Sequence, residues 1–441
     1  MRLNMNAIKI KSVLLIMICL ITSIELYSTS FKNYRVRLTQ PDKTIVNAFV
    51  TGNDPGFIRR HDADDYTIVK DRKTGFFCWA YLDSDGYLES TGFPIHLFNP
   101  KDLRLEPGIY PKRLRDIDIK KGARDLQEER MKQENNNRSS SYHFAPTTAN
   151  INQIVLFIRF QDESDNSWMN TFSYYSAMFN AQNNSLKSYY YDASYGKLTI
   201  DSHFYPKPDT SVTVKSYQAL HNRAYYQPST DSTHIGYKND IELRKRQIDL
   251  LRDALNYVSS EIDPALIIDS DNNGIGDGYV DNVNFIILGE ADDWDDLLWP
   301  HHSYAIDSDS LFINNKKVFS YNFNIESMII TNGVGVLAHE FGHSLGIPDF
   351  YPYKNSSIPV DFWDLMAQPL NPPQSMSAYT KYKYTDWFGS RGTSDIKTIS
   401  ALSSETYTIK PLMSYDTNDV STPVAYKIES PFKGKPNIPN E

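Results

Sequence analysis

Cysteine is almost missing from this sequence: Cys19 and Cys78 are the only two in 441 residues. Cys19 lies in an apolar run at the N-terminus, so removal of that run leaves a single thiol and excludes an internal disulfide. Stability then has to come from a hydrophobic core and from any bound ions. Cys78 sits in a strand-like stretch, residues 75–82, and reads as a buried structural thiol. An excess of basic charge is missing too. Lys and Arg number 45 against 54 Asp and Glu, a formal net charge of −9, and no basic run stands out, which argues against a nucleic-acid partner. Long apolar runs are confined to residues 13–24, a stretch too short to span a bilayer comfortably. Arg2, Lys9 and Lys11 precede it, and the small residues Ser23, Ser28 and Ser30 follow. Residues 1–30 therefore read as a secretory signal peptide cut between about 23 and 30, with an uncleaved anchor as the competing reading. Ile18 before Cys19 is too large for a lipoprotein site. The expected product is secreted and monomeric, with no stable membrane association after signal removal. Internal repeats are absent as well.

Two further absences bear on chemistry. No histidine follows His343, and no glutamate occurs between Glu340 and Glu405. They matter because residues 337–349 read Leu-Ala-His-Glu-Phe-Gly-His-Ser-Leu-Gly-Ile-Pro-Asp. Val334, Leu337, Ala338, Phe341 and Leu345 recur at helical spacing. On a helix, His339 and His343 share one face and can offer two imidazoles to one metal ion. Glu340 follows His339 directly, where it can take a proton from a water. Two neutral nitrogen ligands, an open position and a carboxylate base are what a zinc hydrolase needs. Thr331 and Asn332 are candidate N-caps, Gly346 suits a left-handed C-terminal position, and Pro348 blocks continuation. A third ligand cannot be a later histidine or a glutamate on the next helix. The nearby acidic residues that remain are Asp349, Asp361, Asp364 and Asp386.

Residues 269–281 form a second candidate site, Asp-Ser-Asp-Asn-Asn-Gly-Ile-Gly-Asp-Gly-Tyr-Val-Asp. Hard oxygen donors alternating around glycines suit calcium. One register uses Asp269, Asp271, Asn273 and Asp277 with Gly274 at the turn. The other uses Asn273, Asp277 and Asp281 with Gly278 there. Neither has a glutamate at position twelve, so the loop is not a standard EF-hand; a solvated acidic turn is the competing reading. The adjacent histidines in Trp299-Pro300-His301-His302 are expected to point apart, with one of them lining a cleft or both structural.

Taken together, HEFGHSLGIPDFY, then FWDLM and SAYTKYKYTDW, resemble the immune inhibitor A-like family of secreted bacterial metallopeptidases. Residues 151–160 and 189–200 extend the likeness, and residues 38–44 and 65–71 resemble the family's propeptide more weakly. The spacing HExxHxxGxxD resembles the metzincin pattern with Asp for the last His, which selects Asp349 as the third zinc ligand. Metzincins carry a methionine in a turn beneath the metal; Met366 is the candidate and Met376 the second choice, each against plain core filling. By the same resemblance, Tyr379 is a candidate oxyanion donor.

The implied fold class is α/β (α+β): a metzincin-like zinc peptidase domain with a twisted mixed sheet and an active-site helix, preceded by a small mostly-β propeptide domain. The chain then divides into a signal peptide (1–30), a propeptide-like β domain (31–110), a charged and polar linker (111–148), the zinc peptidase domain (149–395) and a C-terminal β segment (396–441). The resemblance leaves open that this last segment is truncated. The implied function is zinc-dependent endopeptidase action on proteins or peptides, made as a zymogen and with calcium as a structural ion. The alternative is a catalytically inactive secreted binding or adhesion protein that retains the fold.

Overall fold

The computed structural model describes residues 30–53, 57–71, 73–83, 88–109, 144–227, 229, 235–237, 240–267, 279–280, 282–289, 301–305, 310–350, 360–388, 396–399, 406–412 and 422–428. The expected signal peptide, most of the linker and the calcium-loop residues Asp269, Asp271, Asn273, Asp277 and Asp281 lie outside the described residues.

The N-terminal region is mostly β, as expected. Strands β1 (Ser30–Thr39), β2 (Ile45–Asn53), β3 (Phe57–His61), β4 (Thr67–Lys70), β5 (Phe77–Leu82) and β6 (Leu88–Pro94) form one sheet in sequence order. Every neighbouring pair is antiparallel. Leu38, Ala48, Tyr66, Ile68, Phe77, Trp79 and Ile95 make its core. Cys78 is fully buried in β5, and burial pushes its thiol up to about 11, so it is inert packing.

The second sheet is mixed. It uses β7 (Asn150–Arg159), β8 (Thr199–Tyr205), β9 (Tyr217–Gln218), β11 (Val283–Ile287), β12 (His301–Tyr304) and β15 (Ser320–Ile325). The order is β12-β15-β11-β7-β8, with β9 also on β7. All pairs are parallel except β12 with β15, so β12 is an antiparallel edge strand among the described residues. The near-continuous apolar run of β7 reflects burial on both faces. Ile154, Leu156 and Ile158 face helix α3 (Asp240–Val258), whose Ile248, Leu251, Leu255 and Val258 line the same core. Val155 and Phe157 point the other way, toward α1 (Phe172–Asn180), α2 (Leu186–Ala193), α4 (Glu326–Asn332) and α5 (Val334–Ser344). The period-two alternation of one strand thus separates two helical layers.

Three short strands, β10 (Tyr279–Val280), β13 (Leu311–Ile313) and β14 (Lys316–Val318), form a small sheet. Helix α6 (Ala378–Tyr384) follows residues 360–377. At the C-terminal end β16 (Ile396–Ile399) pairs in parallel with β17 (Ala425–Ile428). Residues 407–410 read as a strand in the sequence, but they are not one; the Lys410 amide donates to the Pro423 carbonyl, and the Tyr407 ring packs on Tyr426. Among the described residues, no helix is long and apolar enough to cross a membrane.

Candidate metal centre

Helix α5 lies on the polar middle of the mixed sheet. Cross-strand register puts His302, Asn322, Asn284 and Val155 in one row on the α5 side. Ser344 Oγ bonds to Asn322 and accepts from Asn282 Nδ2 at 2.6 Å, which ties the end of the helix to that row. From α2, Tyr190 Oη donates to the Ala338 carbonyl at 2.6 Å and fixes the middle of the helix. The helix starts differently from the sequence expectation. Thr331 and Asn332 are not its N-caps; they belong to α4, and Gly333 separates the two helices with no side-chain cap. Burial of nearly every residue of α5 takes over the role of a cap in holding this helix.

The other end follows the expected pattern. Gly346 has φ +77°, and the Gly346 and Ile347 amides bond back to the His343 and Gly342 carbonyls at 2.8 and 3.0 Å. This turn brings Asp349 back against the helix. His339 Nε2 lies 3.1 Å from Asp349 Oδ1, His343 Nε2 3.3 Å from the same oxygen, and the two Nε2 atoms are 3.2 Å apart. His339, His343 and Asp349 are the only group of three among the described residues whose ligand atoms all lie within 4.8 Å. The other acidic candidates stand elsewhere: Asp361 in a short 3₁₀ turn, Asp386 against Thr147, and Asp364 inside a buried turn.

The remaining ring nitrogens explain the convergence. His339 Nδ1 donates to the Leu365 carbonyl at 2.9 Å, and His343 Nδ1 donates to the Ile347 carbonyl at 2.8 Å. Both Nε2 lone pairs are thereby turned toward the Asp349 carboxylate. Three acceptors meeting at one point repel one another unless a cation sits between them, and two imidazoles with one carboxylate are a zinc donor set. Electrostatics registers the same demand for positive charge. Burial opposes a charge on His343, but Asp349 outweighs it and pushes that imidazole up to about 9. Burial opposes the Asp349 charge as well, yet the two histidines hold it well below the usual carboxylate range. Glu340 is buried, and its charge acts on His343.

Met366 is fully buried under the helix. A Cβ on Gly342 would stand 2.6 Å from Met366 Sδ, so only glycine lets the methionine press this close. Met376 is also buried. Tyr379 is exposed, with its ring 6.2 Å from that of Phe350. The two histidines of β12 do point apart. His301 stacks on Phe323 toward α3, whereas the His302 ring is 5.6 Å from that of His343. His302 is half-buried, with its Nε2 atom shielded from solvent, and the desolvation of its ring holds it well below the ordinary histidine range, hence neutral. The carbonyls of Leu365 and Ile347, and the fit between Gly342 and Met366, were not readable from the sequence, because backbone acceptors carry no residue signature.

The family model for the immune inhibitor A peptidase M6 catalytic domain matches residues 148–370, just over half of the chain. The chain belongs to this family. As a peptidase M6 family member it is 27% identical to "Immune inhibitor A" of Bacillus thuringiensis subsp. alesti over 208 residues, 42% of this chain and 28% of that protein. It is 24% identical to "Pre-pro-metalloprotease PrtV" of Vibrio cholerae over 254 residues, 49% of this chain and 26% of that protein. The chain therefore matches about a quarter of the length of these curated relatives. The M6 match contains all of the convergent centre, from His339 to Met366.

Proposed function

We propose that this chain is a secreted zinc metalloendopeptidase that hydrolyses internal peptide bonds of proteins. The observation that carries the reading is the convergence of His339 Nε2, His343 Nε2 and Asp349 Oδ1 within a family of metallopeptidases. These three residues hold the zinc. When bound, zinc supplies the Lewis acidity that activates a water and polarises the scissile carbonyl. Glu340 takes the proton from that water and hands it to the leaving amine. Asp349 balances positive charge at the centre, and the Leu365 and Ile347 carbonyls keep both imidazoles in the Nδ1–H tautomer. Met366 is the floor of the centre, in a metzincin-like turn, and Tyr379 donates to the developing oxyanion.

The test is Glu340→Gln, which keeps the shape of the side chain and removes the base. Hydrolysis should fall by roughly a hundredfold to ten-thousandfold with metal content unchanged. Full activity would reject Glu340 as the base. Cleavage of peptides blocked at both ends separates an endopeptidase from an aminopeptidase.

Two subsidiary readings belong to the same proposal. The N-terminal β domain acts as a propeptide, released by cleavage between about 112 and 148, where the composition is charged and low in complexity. Finding only N-termini near residue 30 on secreted active material would oppose this. The loop 269–281 binds a structural calcium ion. A calcium-selective chelator should then lower the melting temperature, and an unchanged melting curve would remove calcium from the account.

A further inference from the structure

Beneath the metal centre lies a carboxylate that takes no part in the proposed chemistry. Asp364 is fully buried between the Trp363 segment and α6. Its Oδ1 accepts from the Met366 amide at 2.9 Å. Its Oδ2 accepts from the Ser377 amide at 2.7 Å and from the Thr380 hydroxyl. Its own carbonyl accepts from the Ala367 amide at 3.0 Å. The carboxylate therefore closes a tight turn over residues 364–367 and staples it to the start of α6. One peptide unit inside that turn is Leu365, whose carbonyl receives the Nδ1–H of His339.

We propose that Asp364 is a positioning residue of the metal centre: by clamping the 364–367 turn it holds the Leu365 carbonyl at the point that fixes the ring plane and tautomer of His339. The inference rests on the reading that His339, His343 and Asp349 bind zinc. Burying a charged carboxylate is costly unless its oxygens are satisfied, and three donors from two separate segments satisfy this one. Lys381 of α6 is fully buried nearby, where burial pushes its ammonium down to about 7 against the opposing pull of the Asp364 charge. A turn made only to fill space would not need a carboxylate there. A turn that must hold a carbonyl within hydrogen-bond reach of a ligand histidine does, because small displacements of such partners weaken metal binding.

Asp364→Asn removes the charge and turns an amide N–H toward one of the backbone donors. Zinc affinity of the full chain is measured by competition with a chelating dye, and the visible spectrum of the cobalt-substituted protein reports ligand geometry. The expected result is a zinc dissociation constant raised by about ten- to a hundredfold with an altered cobalt spectrum. The control is Leu156→Ala, a cavity on the opposite face of the sheet, which should lower thermal stability and leave both readouts unchanged. If Asp364→Asn does not fold, Thr380→Val removes one donor to the carboxylate and should weaken zinc binding in the same direction. Unchanged zinc affinity and cobalt spectrum in whichever variant folds would overturn the inference. A parent chain that binds no zinc at all would instead reject the proposed function on which it rests.

Discussion

The packing of Met366 against Gly342 makes a quantitative prediction for Gly342→Ala. In an ordinary helix interior this change stabilises by about 1 kcal/mol. Here the added Cβ would meet Met366 Sδ at 2.6 Å, Met366 Cε at 3.1 Å and Tyr190 Oη at 3.3 Å. Carbon–sulfur contact needs a separation nearer 3.7 Å, so about 1 Å of movement has to be found. Met366 is fully buried and so is Tyr190, whose hydroxyl is committed to the Ala338 carbonyl. The movement therefore falls partly on the 364–367 turn. Overpacking of this kind costs about 1–3 kcal/mol, which at least cancels the helix gain and leaves a net loss of roughly 0–2 kcal/mol. The larger effect should be on the metal. A turn shifted by about 1 Å takes the Leu365 carbonyl out of reach of His339 Nδ1, and loss of such a partner weakens zinc binding by about ten- to a hundredfold. Thermal melts of the metal-free chain and zinc titration of the folded chain read the two effects separately. A Gly342→Ala chain that is more stable than the parent and binds zinc equally well would refute the reasoning.

Two other perturbations follow from the same neighbourhood. Burial pushes the Lys381 ammonium down to about 7, against the opposing pull of Asp364, in a site walled by the rings of Tyr195 and Trp387. Between pH 7 and the ordinary lysine value of 10.5 the unfolded chain binds the proton and the folded chain does not, so the parent gains stability as pH rises. Lys381→Met should thus be the more stable chain by the largest margin at pH 7 and below. That margin should shrink toward pH 10.5 by at most about 1.4 kcal/mol per unit, and a margin independent of pH in denaturant titrations would contradict this. Tyr379→Phe should lower kcat by about a hundredfold with little change in KM if its hydroxyl stabilises the oxyanion, and an unchanged kcat would remove it from the site.

The legible part of this protein is the part written in side-chain spacing. Two histidines four apart and a glycine at the helix end were enough to anticipate the helix and its exit turn, and the resemblance to the metzincin pattern singled out Asp349, which the structure brings beside His339 and His343. The near-continuous apolar run in residues 151–160 is that of a buried strand, though it does not tell which residues face which helical layer. What could not be read depends on backbone atoms and on distant segments meeting. The Leu365 and Ile347 carbonyls are anonymous in a sequence, and His302 reaches the centre only because an antiparallel edge strand sets its register against Asn322. Thr331 and Asn332 misled because a second short helix ends where a cap was expected. Asp364 stood among the possible ligands by proximity in sequence, and its buried hydrogen bonds explain why it is turned away from that role.

The central claim is that His339, His343 and Asp349 together hold one zinc ion, and metal content tests it before any question of latency or substrate arises. Elemental analysis of the purified chain should find about one zinc per chain in the parent and in Glu340→Gln, and close to none in His343→Ala and Asp349→Ala. A folded parent chain without zinc, or an Asp349→Ala chain that keeps its full complement, would contradict the account.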